Sequence, residues 1–393
     1  PAAGTVESGS TEGTGNDARF YYPLGITTDG PNFYVAEWGN NKIRKIVISS
    51  GVVTTLAGSG NSGSADNATG TLATFRNPMG ITTDGTNLYV ADALNHKIRK
   101  IVIDNGTVTT FAGPPAGTVE SGSTDNATPS NARFNLPLGI TTDGPNFYVA
   151  DWGNHKIRKI VISTGEVTTF AGSGNSGSAD NATGTSATFQ NPMGITTDGT
   201  NLYVTDALNH KIRKIVIDNG TVTTFAGPPA GTVESGSTDN ATPSNARFNR
   251  PYGITTDGTN LYVAEAANNK IRKIVIDNGT VTTLAGPAAG SAADTVGDTD
   301  GTGNAARFRF PIGITTDGTN LYVADWFNHK IRKIVIDNGT VTTLVGPAAG
   351  SQDNDSTDGT GNAARFYGPI GITTDGTYLY VTEYSNNKVR RIE

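Results

Sequence analysis

The chain has no cysteine and only two methionines. Without thiols there is no disulfide, iron–sulfur cluster or thiolate zinc site, although that absence does not fix a compartment. No apolar run reaches the roughly 18 residues that a membrane helix needs, and no signal peptide opens the sequence. Charge of one sign is also scarce. The 29 basic and 35 acidic side chains leave a net charge of −6, which steers nothing toward a polyanion such as nucleic acid. Helix formers such as Leu, Glu, Gln and Met are sparse, whereas Thr, Gly, Asn and Asp are abundant, a bias toward strands and tight turns.

What the sequence does contain is a repeat. Gly-Ile-Thr-Thr-Asp-Gly occurs seven times, starting at Gly25, Gly80, Gly139, Gly194, Gly253, Gly313 and Gly371, at spacings of 55, 59, 55, 59, 60 and 58 residues. A period of this size means a solenoid, an array or a propeller. Residues 80–113 decide among them. They read as four short strands, at 81–83, 88–91, 97–103 and 108–112, separated by turn chemistry. The turns are Asp84-Gly85-Thr86-Asn87, the segment 92–96, and Asp104-Asn105-Gly106, whose Asn-Gly is a hairpin signal because it accepts positive φ. Four antiparallel strands in one unit make a propeller blade. The expectation is therefore an all-β, seven-bladed β-propeller forming a single domain over 1–393. Its blade cores lie near 25–58, 80–113, 139–172, 194–227, 253–286, 313–346 and 371–393.

The repeat resembles the NHL-repeat family. The residues that carry the resemblance are Leu88-Tyr89-Val90-Ala91-Asp92, then Asn95-His96-Lys97-Ile98, with Pro78-Met79-Gly80 opening the blade, and the pattern recurs in all seven blades. The resemblance implies a six- or seven-bladed binding module, with a few enzymatic relatives. Linkers such as 302–308 resemble those of bacterial secreted or surface-attached members, which implies an extracellular, cell-surface or periplasmic location.

Two irregularities stand out. Residues 111–135 are identical to 225–249, so blades one and two read as a tandem copy of blades three and four. The last blade ends at Glu393 without a fourth strand, while Pro1-Ala2-Ala3-Gly4 matches Pro347-Ala348-Ala349-Gly350, the segment just after a fourth strand. The missing strand lies upstream, or the blade is three-stranded, or another chain donates the strand. An open edge invites pairing, so self-association through the seventh blade is one expectation.

The candidate chemistry lies in the loops between strands two and three, on the same face of each blade as the interblade linkers. The first variable position there reads Trp38, Ala93, Trp152, Ala207, Ala266, Trp326 and Tyr384, and the next includes Phe327. All three tryptophans of the chain are in these loops. Trp38, Trp152, Trp326, Phe327 and Tyr384 form either an aromatic recognition face for a protein, peptide or carbohydrate or covers for their own linkers. His96, His155, His210 and His329 share one turn position with Asn41, Asn269 and Asn387. Strands roughly 4.8 Å apart place equivalent atoms of adjacent blades too far apart for metal ligation at about 2 Å, so a hydrogen-bonding turn role is expected.

Strand two ends in an acid every time, at Glu37, Asp92, Asp151, Asp206, Glu265, Asp325 and Glu383, which reads as a turn residue bonding nearby backbone. The Lys-Ile-Arg-Lys of the third strand supplies most of the basic residues. It reads as stems packed on the next blade with heads at the edge, not as an RNA-binding surface. The linkers 294–301 and 353–359 faintly resemble calcium loops but lack the bidentate glutamate, and capping of short turns is the preferred role. Asn-x-Ser/Thr sequons, among them Asn67, Asn105, Asn126 and Asn338, belong to the turn grammar of the repeat. No catalytic residues and no cofactor are identified. The expectation is a non-catalytic binding or scaffold propeller. A structural subunit of a surface or filamentous assembly is the alternative, and a lyase-like propeller enzyme a second.

Overall fold

The computed structural model of the chain describes residues 7–290, 296–351 and 357–393. Its sheets form a seven-bladed β-propeller of four-stranded antiparallel blades, and the seventh blade has three strands. Contacts divide the chain into two compact units. One comprises Pro1–Phe170 with Thr382–Arg390, and the other Ala171–Val381 with Arg391–Glu393.

Blade two shows how the repeat builds a sheet. Its strands are Pro78–Thr83, Asn87–Asp92, Lys97–Val102 and Val108–Ala112. The first therefore begins at the proline, three residues ahead of the strand expected over 81–83. In the second strand Leu88, Tyr89, Val90, Ala91 and Asp92 are all buried, because a strand packed on both faces reads as a continuous run rather than an alternation. Leu88, Val90, Ile101 and Val108 pack on Tyr34, Ala36 and Ile43 of blade one, with Ala73 and Phe75 of the linker between them.

The turns follow from Asp and Gly chemistry. Asp84 Oδ1 accepts the Asn87 N–H at 2.6 Å, and Asp84 Oδ2 accepts the Tyr89 hydroxyl at 2.9 Å. The third turn differs from the two-residue hairpin expected. Only Gly106 has positive φ, at 74°. The Gly106 N–H reaches back to the Val102 carbonyl, while Asn105 Oδ1 accepts the Thr107 N–H. The asparagine caps a longer turn rather than entering the left-handed region itself.

Packing at the inner strand explains the first glycine of the repeat. Gly80 has no need of positive φ, but a Cβ there would lie 2.1 Å from the Leu138 carbonyl oxygen of the next blade. Gly25 faces Met79 and Gly313 faces Ile370 in the same way. In blades four and seven a threonine adds a hydrogen bond at this junction, and in blade four the approach remains close, since a Cβ on Gly194 would lie 2.4 Å from the Tyr252 carbonyl oxygen. Thr205 Oγ1 donates to the Tyr252 carbonyl and Thr382 Oγ1 to the Leu24 carbonyl.

The structure corrects the reading of both charged positions. Arg99 is fully buried, not edge-exposed, and its guanidinium pairs with Asp92 at 2.9 Å and with the linker acid Asp66 at 2.7 Å. It also bonds the Thr74 and Ala65 carbonyls and lies 4.8 Å from the Phe75 ring centroid. Asp92 does bond backbone, but the N–H is that of Arg76, 16 residues away. Asp66 in turn accepts the Thr110 N–H and hydroxyl on the fourth strand. One arginine thus ties the incoming linker to strands two, three and four.

The arrangement recurs around Arg158, Arg213, Arg272 and Arg332, and Arg44 pairs with Glu37 but bonds the Thr11 carbonyl in place of a linker acid. Burial pushes the Glu37 carboxyl up to about 7 and that of Asp151 up to about 6, against the pull of Arg44 and Arg158. In each of these blades the arginine Nε lacks a hydrogen-bond partner, a cost that the remaining N–H bonds must outweigh. The linker acids are therefore braces rather than helix caps. The short turns of the linkers have no side-chain cap at all.

The linkers also cover the outer edges. Asn67, Asn126, Asn181 and Asn240 bridge to Val108, Val167, Val222 and Val281 of the fourth strand that follows. Gly13–Thr14 and Gly301–Thr302 form short fifth strands on blades one and six. Covered edges do not recruit other chains.

Candidate functional site

Two junction residues set the geometry of the loop face. Each second strand leads into a short turn that ends on a His or Asn in the left-handed region: His96 at φ 57°, His210 at 57°, His329 at 57° and Asn269 at 55°. The side chain there receives a backbone N–H from the next blade. His96 Nδ1 accepts from Leu136, His210 from Arg250 and His329 from Gly368, while Asn41 accepts from Asn77, Asn269 from Phe310 and Asn387 from Tyr22. These imidazoles therefore act as hydrogen-bonding junctions, and burial lowers their pKa.

The donor of each bond precedes the proline that opens the next blade, and it too is left-handed. Asn77, Asn191 and Gly368 are residue types that tolerate this backbone, whereas Tyr22, Leu136, Arg250 and Phe310 are bulky residues that do not. The two aromatic ones centre the aromatic clusters of the loop face.

In the first unit, Tyr22 stacks on Tyr384 with ring centroids 4.3 Å apart, meets Trp38 edge-on at 5.7 Å and stacks on Tyr21 at 4.3 Å. In the second, Phe310 lies 5.6 Å from Trp326 and 5.5 Å from Phe327, which themselves stack at 4.4 Å, and Tyr252 lies 6.0 Å away. Trp38, Trp152, Trp326 and Tyr384 are half-buried, and Phe327 is 40% exposed. Trp152 opens the equivalent turn of blade three. The structure thus brings Trp38 near Tyr384 through Tyr22, and Trp326 against Phe327. Sequence reasoning missed Tyr22, Phe310, Tyr252 and Arg309. The signal was the side-chain variation at the residue before each blade-opening proline.

The second cluster borders a cavity of about 150 Å³ lined by Val296, Gly297, Asp298, Arg309, Asn328 and Gly350. The Arg309 guanidinium lies 5.8 Å from the Phe327 centroid and, among the described residues, meets no hydrogen-bond or ion-pair partner. Asp298 pairs with Lys330 Nζ at 2.8 Å and accepts the Gly350 N–H. Asp300 braces Arg332 and Thr343. Of the calcium-like linkers, Asp294 and the stretch 352–356 lie outside the described residues, as do Pro1–Gly4. Among the described residues, no group of three or more His, Asp or Glu is placed to hold a metal ion, and no helix is long and apolar enough to cross a membrane.

The class defined by these blades is the β-propeller, and relatives narrow it. The chain is 30% identical to NHL repeat-containing protein 2 of Homo sapiens over 333 residues, 77% of this chain and 44% of that protein. It spans about half the length of the curated relatives it matches. No family model matches the sequence. Among solved structures, a streptogramin B lyase superposes with a TM-score of 0.58 at 18% identity, covering 98% of this chain and 96% of that one. An auxiliary nutrient binding protein from Bacteroides thetaiotaomicron gives 0.53 at 14% identity, covering 92% and 85%. An enzyme and a binding protein thus share this fold. Sequence likeness and the seven blades together support an NHL-repeat β-propeller.

Proposed function

We propose that the chain is a non-catalytic binding propeller in which two loop clusters, one around Tyr22 and one around Phe310, engage a protein, peptide or glycan partner. One observation carries this reading. At the left-handed position before the opening proline, where Asn77, Asn191 and Gly368 serve other blades, two blades instead hold an aromatic ring at the centre of an aromatic cluster. A backbone cost of about 1–2 kcal/mol for a bulky residue in this region has no return in the junction hydrogen bond, which Asn77 forms equally well. Half-buried, pre-ordered aromatic rings with a face left to solvent suit anchors of recognition. The buried acids and the imidazoles named above are already engaged in braces and junctions, which favours binding over catalysis.

The test is a glycan and peptide array probed with the intact chain and with a Tyr22→Asn/Phe310→Asn variant. Binding by the parent that the variant loses supports the reading; equal binding by both sinks it. A second reading, a structural subunit, rests on blade seven, which among the described residues has three strands and ends its sheet on Lys388–Ile392. Light scattering decides it, because concentration-dependent assembly would favour the structural role and a constant monomer would remove it.

A further inference from the structure

The blades are near-copies, so they serve as controls for one another, and blade six departs from the rest at several neighbouring points. Ser-Gly-Ser occupies 62–64, 121–123, 176–178 and 235–237, whereas blade six has Val296-Gly297-Asp298. Position 327 holds phenylalanine where the others have Gly, Ala, Leu or Ser. Arginine recurs at the equivalent of Arg309 only as Arg76, where Leu94 stands in place of the aromatic ring. These changes converge on the cavity at Asp298 and Arg309, beside the Trp326–Phe327 stack.

We infer that this cavity binds the uronate residue of an acidic glycan, an inference that rests on the binding reading above. Its volume of about 150 Å³ is below the roughly 300 Å³ where drug-sized pockets begin, so it suits one anchoring group of a longer ligand. Three chemistries meet there. The Arg309 guanidinium, over the Phe327 ring, has no ion-pair partner among the described residues and presents a planar fork suited to a carboxylate. Asp298 is already neutralised by Lys330, and each of its carboxylate oxygens keeps acceptor capacity for sugar hydroxyls. The exposed Phe327, stacked on Trp326, offers a flat apolar platform for a pyranose ring. An acidic peptide would use the guanidinium but gives Asp298 no hydroxyls to receive. A neutral sugar would use Asp298 and the platform but leave the guanidinium unpaired.

The three tryptophans, Trp38, Trp152 and Trp326, give a site-resolved readout. The intact chain labelled with 5-fluorotryptophan yields three ¹⁹F signals, assigned by single Trp→Phe replacements. It is titrated with hexamers of hyaluronan and of galacturonate, with chitohexaose as the neutral glycan and hexaglutamate as the acidic peptide. The expected result is a Trp326 shift with a uronate hexamer and none with chitohexaose or hexaglutamate. Arg309→Gln should weaken that binding at least tenfold, Arg76→Gln should leave it unchanged, and added salt should weaken it. A Trp326 shift caused only by chitohexaose or hexaglutamate overturns the uronate assignment and leaves the aromatic-face reading standing. Uronate binding that moves only Trp38 or Trp152, or that Arg309→Gln does not weaken, overturns the site. If array-positive partners and these probes move none of the three signals, both readings fall.

Discussion

The backbone N–H of Leu136 donates to His96 Nδ1 at 3.2 Å, and both residues are left-handed, at φ 53° and 57°. The bond carries blade two into blade three and requires an imidazole with a bare Nδ1. His210 and His329 make the same bond, and burial lowers all three pKa values below the ordinary 6.5. A base with a depressed pKa is protonated more readily in the unfolded chain. Stability is therefore fully present above pH 6.5 and falls as pH drops from there through the folded-state values. Replacing all three by Asn, the residue that already serves at Asn41, Asn269 and Asn387, should flatten this part of the stability–pH profile. Thermal melts of parent and variant from pH 7.5 to 4.5 measure the difference, in which every other titrating group cancels. Parallel profiles would show that the imidazoles do not carry the effect.

Gly80 and Gly85 are five residues apart in one blade and need glycine for opposite reasons. Gly80 has ordinary φ and no space, since a Cβ would lie 2.1 Å from the Leu138 carbonyl oxygen; Gly85 has φ 87° and no heavy atom within 4 Å. Gly85→Ala is expected to cost about 1–2 kcal/mol, the strain of a left-handed alanine. Gly80→Ala should cost more, because the inner strands of two blades must separate. Urea denaturation of both variants checks the order, and a smaller loss for Gly80→Ala would contradict the close approach.

Blade number, strand order and the three strands described for the seventh blade were legible in the sequence because turn chemistry and β-branched runs repeat with one period. The pairing of charges was not. Asp92 and Arg99 are seven residues apart and look like separate surface features until the hairpin register is known. That register sets Asp92 opposite Lys97 and Arg99 opposite Val90, with both charged groups turned into the blade. The third partner, Asp66, comes from a linker that reads as a flexible loop but lies along the fourth strand. The aromatic candidates were visible as loop residues, while their centres, Tyr22 and Phe310, were hidden because a residue before proline is expected to be extended.

The buried Arg99 gives the largest single-residue effect expected. Removing one partner of a buried ion pair typically costs about 3–5 kcal/mol, because the remaining charge stays desolvated. Arg99→Met keeps an unbranched apolar side chain in the blade but removes the guanidinium over Phe75 and strands Asp92 and Asp66. It should lose stability on that scale in chemical denaturation. Lys100→Met, beside it and half-buried, should change little. Near-equal effects would mean that the arginine is worth no more than its hydrocarbon.

Phe310 tests whether the loop face trades stability for recognition. Its left-handed backbone, at φ 57°, is held by the N–H bond to Asn269 and by the proline that follows, not by the ring. Phe310→Asn keeps that bond and relieves strain of about 1–2 kcal/mol, while removing ring contacts with Trp326 and Phe327 worth about 0.5–1.5 kcal/mol each. The two terms oppose, so the substitution should be neutral within about 1 kcal/mol in thermal or urea unfolding. A Phe→Ala substitution in a well-packed core would instead lose about 3–5 kcal/mol. A loss on that larger scale would make Phe310 a core residue and take away the argument that its ring is kept for a partner.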